Sequence, residues 1–286
     1  MKTLRSYLPK RQPVERIREG HRPQMATTPV RLVHHPDGVL ELKLDDGSRR
    51  NVLGRSTISA IETAVTDPPK GTRVIILTAA APDFCAGYDL REAAGGDAEA
   101  LIAHESNFAV LRHSGVPIIA VLQGNVIGGG LELALGADVR IASPEMRMSI
   151  PANRLGLVYS LAGVRLLVDE LGESMTRSML LAGRVLGAGD AKSSGLVAEV
   201  VDLEVLHERA LTLAATMAAW SPEVAAGNRR VLDIAVGRIE DDAAALRRAS
   251  FRPGGKLEGS ISHFASISPT WRERFVTRLR KIARRP

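Results

Sequence analysis

The stretch from Val116 to Ala142, VPIIAVLQGNVIGGGLELALGADVRIA, admits very few folds. Its apolar run Val116–Leu122 ends at a glycine turn. Three consecutive glycines, Gly128, Gly129 and Gly130, then lead into Leu131–Ala137, which is apolar except for Glu132. The pattern predicts a strand, a loop whose backbone can approach a ligand closely, and the start of a buried helix. A helix start presents unpaired N–H groups and a partial positive charge, so negative charge developing on a ligand is held there. Glu132 stands in the first turn, beside that point.

The flanking pattern supplies the rest of a core. Val39–Leu44 alternates Leu40, Leu42 and Leu44 with Glu41 and Lys43, which predicts a half-buried strand. Ser56–Thr66 sets Ile58, Ile61 and Val65 on one helical face, and Pro68-Pro69 ends it. Arg73–Thr78 reads as a short strand, and Asp97–His113 as a helix with Leu101, Phe108 and Leu111 on one face. After the central stretch come short strands at Val139–Ala142 and Met146–Ile150, and a loop over Pro151–Ser160. Helices over Leu161–Leu171 and Ser174–Leu181 follow, then a strand at Leu196–Asp202. From Leu203 the pattern is wholly helical. Strands alternating with helices, then helices alone, predict an α/β core over 29–202 and a helical region over 203–286.

Charge and cysteine content narrow the setting. The net charge of +6 is concentrated at the ends: residues 1–28 carry +5, residues 271–286 carry +6, and the body between is −5. Residues 1–28 lack periodicity and are expected to be a disordered basic extension. Basic tails can serve nucleic acid or anionic lipid, but aromatic residues make up only 3% of the chain, which leaves few stacking platforms. No apolar run is long enough to span a membrane and no signal peptide is visible. The single cysteine, Cys85, suits a reducing compartment, and the cytoplasm is the expected location.

Metal and phosphate chemistry find no support in the spacings. None of the seven histidines pairs with another at i, i+4 beside an acidic partner, and one cysteine cannot build a thiolate site. Gly124-Asn-Val-Ile-Gly-Gly129 is followed by Gly130 and Leu131, not by Lys and Ser/Thr, so it is no phosphate loop. The triple glycine also lacks the GxGxxG spacing of dinucleotide sites. Cys85 has no nearby histidine and reads as a small buried residue. What remains is a site made mostly of backbone. Gly87-Tyr88 and Gly128-Gly129 each follow an apolar strand and can aim two N–H groups into a shared cleft, an oxyanion hole.

Several motifs resemble those of the crotonase (enoyl-CoA hydratase/isomerase) superfamily. They are Phe84-Cys-Ala-Gly-Tyr-Asp-Leu90, Pro117-Ile-Ile-Ala-Val-Leu-Gln-Gly-Asn125, and Gly128-Gly-Gly-Leu-Glu-Leu-Ala-Leu135 with Asp138. Leu155-Gly156, Leu181-Ala-Gly183 and Gly195-Leu-Val197 follow in order, so the resemblance covers residues 30–286. It implies a spiral of ββα repeats, a helical trimerisation region giving a homotrimer or dimer of trimers, and acyl-CoA thioester substrates. No cofactor is implied, CoA being part of the substrate. The backbone N–H groups of Tyr88 and Gly129 then hold the thioester oxygen as it becomes an enolate. Cys85, Ala86, Asp89, Leu90 and Arg91 are the expected CoA contacts, with Arg91 near its phosphates; Asp89 and Asp138 also match positions expected to be structural.

The departures from the family pattern bear on the reaction. Hydratases of the family use two glutamates; Glu132 matches the first, but the second is replaced by Pro151-Ala152. Alanine moves no proton. Leu155–Tyr159 resembles the methylmalonyl-CoA decarboxylase branch, which has a tyrosine at this place. Loss of CO₂ from a malonyl-type thioester yields the enolate without a base, given a donor such as Tyr159 to turn the carboxylate out of plane. The expectation is an acyl-CoA lyase, with decarboxylation slightly ahead of hydration by Glu132 with an atypical second group. Enoyl-CoA isomerisation is a third reading. A fourth, in a different class, is a catalytically weak RNA-binding homologue using the basic final helix.

Overall fold

The structure, a computed structural model, describes residues 29–94 and 107–236. The expectations for residues 1–28, for Leu101 and for the final helix lie outside the described residues.

A six-stranded sheet organises the chain. Strands β1 (Val30–His34) and β2 (Val39–Leu44) form an antiparallel hairpin, and helix α1 (Arg55–Thr66) carries the chain to β3 (Val74–Ala79), parallel to β2. A short helix α2 (Leu90–Ala94) and a 3₁₀ turn (Asn107–His113) precede β4 (Ile118–Leu122), parallel to β3. The chain then enters a second, three-stranded sheet as β5 (Asn125–Ile127) and turns into α3 (Gly129–Gly136). It revisits the first sheet as β6 (Val139–Ala142) and the second as β7 (Arg147–Ser149). Helices α4 (Ala152–Leu155) and α5 (Leu161–Ala182) follow, then β8 (Leu186–Gly187), α6 (Ala188–Ser193) and β9 (Glu199–Val200). The sheet orders are β1-β2-β3-β4-β6-β9 and β5-β7-β8. Alternate visits to two sheets make the spiral that the motifs implied.

The large sheet is covered on both faces, which explains its near-continuous apolar strands. Leu40, Leu42, Leu44, Ile75 and Leu77 pack in one cluster with Ile58 and Ile61 of α1. Val39, Val74, Ile76, Ile119, Val121 and Ile141 point the other way, against Leu206, Ala210, Ala214 and Ala218 of α7 (Leu203–Ala218). The expectation of a half-buried β2 is therefore corrected: Glu41, on its polar face, is 5% exposed because α7 lies over it.

Two other expectations are refined. The loop at 151–160 contains α4, closed by Gly156 in the left-handed conformation (φ 69°). The two helices expected over 161–181 follow one another within α5, which breaks between them at Gly172 (φ 76°, ψ 160°), where only glycine is comfortable. The last described helix, α8 (Pro222–Ala235), starts at the Ser221 cap and buries no side chain. Arg229 docks it instead, donating to Asp138 (2.7 Å), to the carbonyls of Leu111 (2.6 Å) and Val116 (3.2 Å), and to that of Ser114. Asp138 also accepts from the Ile118 amide at 2.7 Å, a structural role. Among the described residues, no helix is long and apolar enough to cross a membrane.

Candidate active site

Two loops are laced together by backbone bonds. Phe84 N–H donates to Gln123 O (2.8 Å), Cys85 N–H to Asn125 O (3.1 Å) and Ile127 N–H to Cys85 O (2.9 Å). The Asp83 carboxylate accepts from both the backbone and side-chain amides of Asn125, at 2.9 and 2.7 Å. The lacing brings Gly87 against the glycine run. A Cβ on Gly87 would sit 2.8 Å from Ile127 O and 3.6 Å from Gly129 N, and the residue's φ of +93° favours glycine in any case.

Those contacts aim two donors. Gly87 O accepts from Leu53 N–H (2.9 Å) and Asp89 N–H donates to Leu53 O (3.0 Å). The extended residue between them, Tyr88, therefore turns its own N–H away from Leu53. Gly129 is the first residue of α3, so its N–H has no intrahelical partner and lies at the positive end of the helix dipole. The two N–H groups named from sequence are thus on adjacent backbone segments.

Glu132 is 2% exposed, one turn into α3, and both its oxygens are occupied. The Tyr159 hydroxyl donates to Oε1, and the Tyr88 hydroxyl to Oε2 at 3.4 Å. Packing sets both rings. The Tyr88 ring lies over Gly129, where a Cβ would meet its carbons at 2.6–2.8 Å, and it stacks on Phe108 with centroids 6.2 Å apart. Tyr159 precedes the Ser160 N-cap of α5, whose Oγ accepts from Gly163 N–H at 3.0 Å. A Cβ on Gly163 would meet Tyr159 Cε1 at 2.7 Å, so that glycine makes room for the ring. Ala152 is buried at the start of α4 and brings no proton-carrying group.

The far end of α3 is pinned to α5. Arg140 is 8% exposed and donates to the carbonyls of Ala137 (2.7 Å), Ala134 (3.4 Å) and Leu135 (3.5 Å), which end the helix, and to Leu196 O (2.7 Å). Glu170 of α5 accepts from Arg140 (3.3 Å) and Arg112 (2.7 Å). A cation at a helix C-terminus is favourable, and here it also ties the helix bearing Glu132 to the helix preceded by Tyr159.

The expected CoA contacts separate into two groups. Cys85 belongs to the core: it is fully buried, its backbone groups are used in the lacing, and its sulfur accepts from Gly87 N–H at 3.3 Å. Burial, partly offset by that N–H, pushes its thiol up to about 12, so it is no nucleophile. Asp89 is buried as well, accepting from Arg91 N–H (3.0 Å) and from Arg49. Burial raises its carboxyl, but those hydrogen bonds and the two arginine charges outweigh burial and hold it below the ordinary 3.8. Ala86 donates its N–H to Arg50 O (3.0 Å). Leu90 and Arg91 stand exposed at the start of α2, where a bound molecule can reach them. The residue that sequence reasoning missed is the Tyr88 phenol, since only its backbone was singled out. A signal did exist: the chain has three tyrosines, and two of them converge on Glu132.

Comparison with known proteins bears on the chain's family and fold. The family model described as enoyl-CoA hydratase/isomerase matches residues 34–252. A 2,3-dehydroadipyl-CoA hydratase of Escherichia coli (strain K12) is 33% identical over 197 residues, 67% of this chain and 76% of its own. A carnitinyl-CoA dehydratase of Proteus mirabilis (strain HI4320) is 31% identical over 250 residues, 82% of this chain and 95% of its own. The crystal structure of an enoyl-CoA hydratase from Bacillus anthracis superimposes with a TM-score of 0.71 at 24% identity, covering 82% of this chain and 91% of that one. That last likeness speaks for the fold alone.

Proposed function

The chain belongs to the enoyl-CoA hydratase/isomerase family, and from that premise we propose that it adds water reversibly to a 2-enoyl-CoA, with Glu132 and Tyr159 sharing the proton work. The observation that carries this reading is the hydrogen bond from the Tyr159 hydroxyl to Glu132. Glu132 takes a proton from water as its oxygen bonds to C3, and the C2–C3 π electrons move into the thioester as an enolate. The Tyr88 and Gly129 N–H groups hold the enolate oxygen; one such donor is worth ~10²–10³ in rate. Tyr159 delivers its proton to C2 and regains one from Glu132 along the bond they share. Atoms and charge balance with water and the chain's own groups. The relatives named as hydratases and a dehydratase support the same direction.

Decarboxylation of a malonyl-type CoA is the second reading, favoured by Ala152 standing where a second carboxylate is expected. Against it, a substrate carboxylate brought to the Tyr159 hydroxyl meets the charge of Glu132, which that hydroxyl already contacts.

Purified protein is assayed on crotonyl-CoA, on methylmalonyl-CoA and on a 3-enoyl-CoA. Hydration is expected, and Glu132→Gln lowers it by ~10²-fold or more, the usual worth of a general base. CO₂ release without hydration, undiminished in Glu132→Gln, overturns the proposal in favour of decarboxylation. The reading also carries an assembly of three or six copies. In such an assembly Val158 (98% exposed) and Leu161 (66% exposed), beside Tyr159, gain cover.

A further inference from the structure

We propose that His35, Glu41 and His207 form a binding site for a divalent transition metal, Zn²⁺, that fastens α7 to the β1–β2 hairpin. The site is on the α7 face of the large sheet, opposite the cluster that buries α3. Sequence spacing hid it, because its donors come from the β1–β2 turn, from β2 and from a helix more than 160 residues further on.

Two imidazoles converge on one carboxylate oxygen. His35 Nε2 is 2.8 Å and His207 Nε2 3.2 Å from Glu41 Oε2, and one ligand atom from each of the three residues lies within 4.8 Å of the others. Two nitrogens and a carboxylate oxygen make a common zinc donor set, and bonds of about 2.0–2.2 Å in tetrahedral array separate donors by roughly 3.3 Å. The two imidazole–carboxylate separations, 2.8 and 3.2 Å, need only small side-chain shifts to reach that value. The rings are tilted by 58° with centroids 6.3 Å apart, so neither stacks across the gap.

The surroundings resemble those of a built site. Glu41 is buried, and its other oxygen accepts from the Thr78 hydroxyl at 2.7 Å, which orients the carboxylate as outer-shell partners of metal ligands do. The carboxyl lies below its ordinary value. Burial alone raises it, but hydrogen bonds from Thr78, His35 and His207 outweigh burial, so it is ionised at neutral pH. The His207 side chain is 52% exposed, which leaves a route in and room for water as a fourth ligand. Such a donor set binds Cu²⁺ and Ni²⁺ as well. Zn²⁺ fits a tie between elements because it brings no redox chemistry and accepts three protein ligands plus water. On binding, each imidazole offers its Nε2 lone pair, and the protons now shared with Glu41 leave or move to Nδ1.

The test uses the untagged full-length chain, stripped with chelator and titrated with Zn²⁺ by calorimetry and with Co²⁺ by visible absorption. One equivalent per chain is expected, with the d–d bands of tetrahedral Co²⁺ and a rise in melting temperature. His207→Ala, at a half-exposed helix position that does not threaten folding, weakens binding at least tenfold. His35→Ala does the same, and His34→Ala on the neighbouring exposed position leaves it unchanged. Absence of stoichiometric binding overturns the proposal and leaves a hydrogen-bonded clasp. Binding that survives His207→Ala undiminished overturns it equally.

Discussion

Glu132 accepts hydrogen bonds from two phenols, and the two bonds are not equivalent. The Tyr159 hydroxyl donates to Oε1, whereas the Tyr88 hydroxyl stands 3.4 Å from Oε2, beyond the usual O–H···O range. Tyr159→Phe is therefore expected to cut kcat for hydration at least tenfold with little change in KM, because it removes the proton that reaches C2. Tyr88→Phe keeps the ring over Gly129 and against Phe108 and costs only a few-fold; its backbone N–H is untouched. Equal losses in the two variants, measured side by side on crotonyl-CoA, contradict the division of roles. Glu132, Gly129 and Tyr159 were legible in the sequence because a glycine run before an apolar helix and a family motif each fix a position. The Tyr88 phenol was not, since neither periodicity nor spacing says which way a loop side chain turns. Only the ring's contact with Gly129, a matter of three-dimensional packing, directs it to the carboxylate.

Among the elements, legibility followed length and burial. β3 and β4 are five or six residues long and sandwiched between two apolar layers, so their near-continuous hydrophobic runs stand out. β5 and β8 span three and two residues, too few for any alternation to register, and they exist because the second sheet pairs them. The same holds for the anchor of α3. No pattern reveals that Arg140, only four residues beyond Gly136, folds back over the helix's last carbonyls and reaches Glu170. Arg140→Met removes the donors to four carbonyls and one of the two arginines on Glu170, and leaves buried polar groups without that partner. A loss of about 3–5 kcal/mol in stability is expected, the usual cost of breaking a buried ion pair. Urea unfolding measures it. In the fraction that stays folded, kcat falls with stability, because the shifted helix carries Gly129 and Glu132 with it. A variant with unchanged urea midpoint shows that the α3 terminus needs no such anchor.

Across the whole molecule, the described part of the helical region, residues 203–236, divides between two helices that meet the body differently. α7 completes the second core layer with four buried side chains, whereas α8 buries none and is tied down through Arg229. The seam between sheet and α7 is sealed at a buried carboxylate, and that gives the fold a predictable response to acid. Glu41 sits below its ordinary 4.5 because hydrogen bonds from Thr78, His35 and His207 outweigh its burial. Around and below that pH the unfolded chain binds more protons at this position than the folded one. The stabilisation is therefore complete above about 4.5 and is lost as the pH falls through the folded value. Asp89, also held below its ordinary value, adds loss in the same direction. In chelated buffer, the melting temperature should hold steady from pH 7 to 5 and drop below about 4.5. Glu41→Gln presents an amide where two imidazole donors need an acceptor, so it costs about 1–3 kcal/mol at pH 7. The variant also has a shallower acid limb, because the titrating group is gone. An acid limb as steep in Glu41→Gln as in the parent protein would move the acid sensitivity to other carboxylates and leave the seam without a part in it.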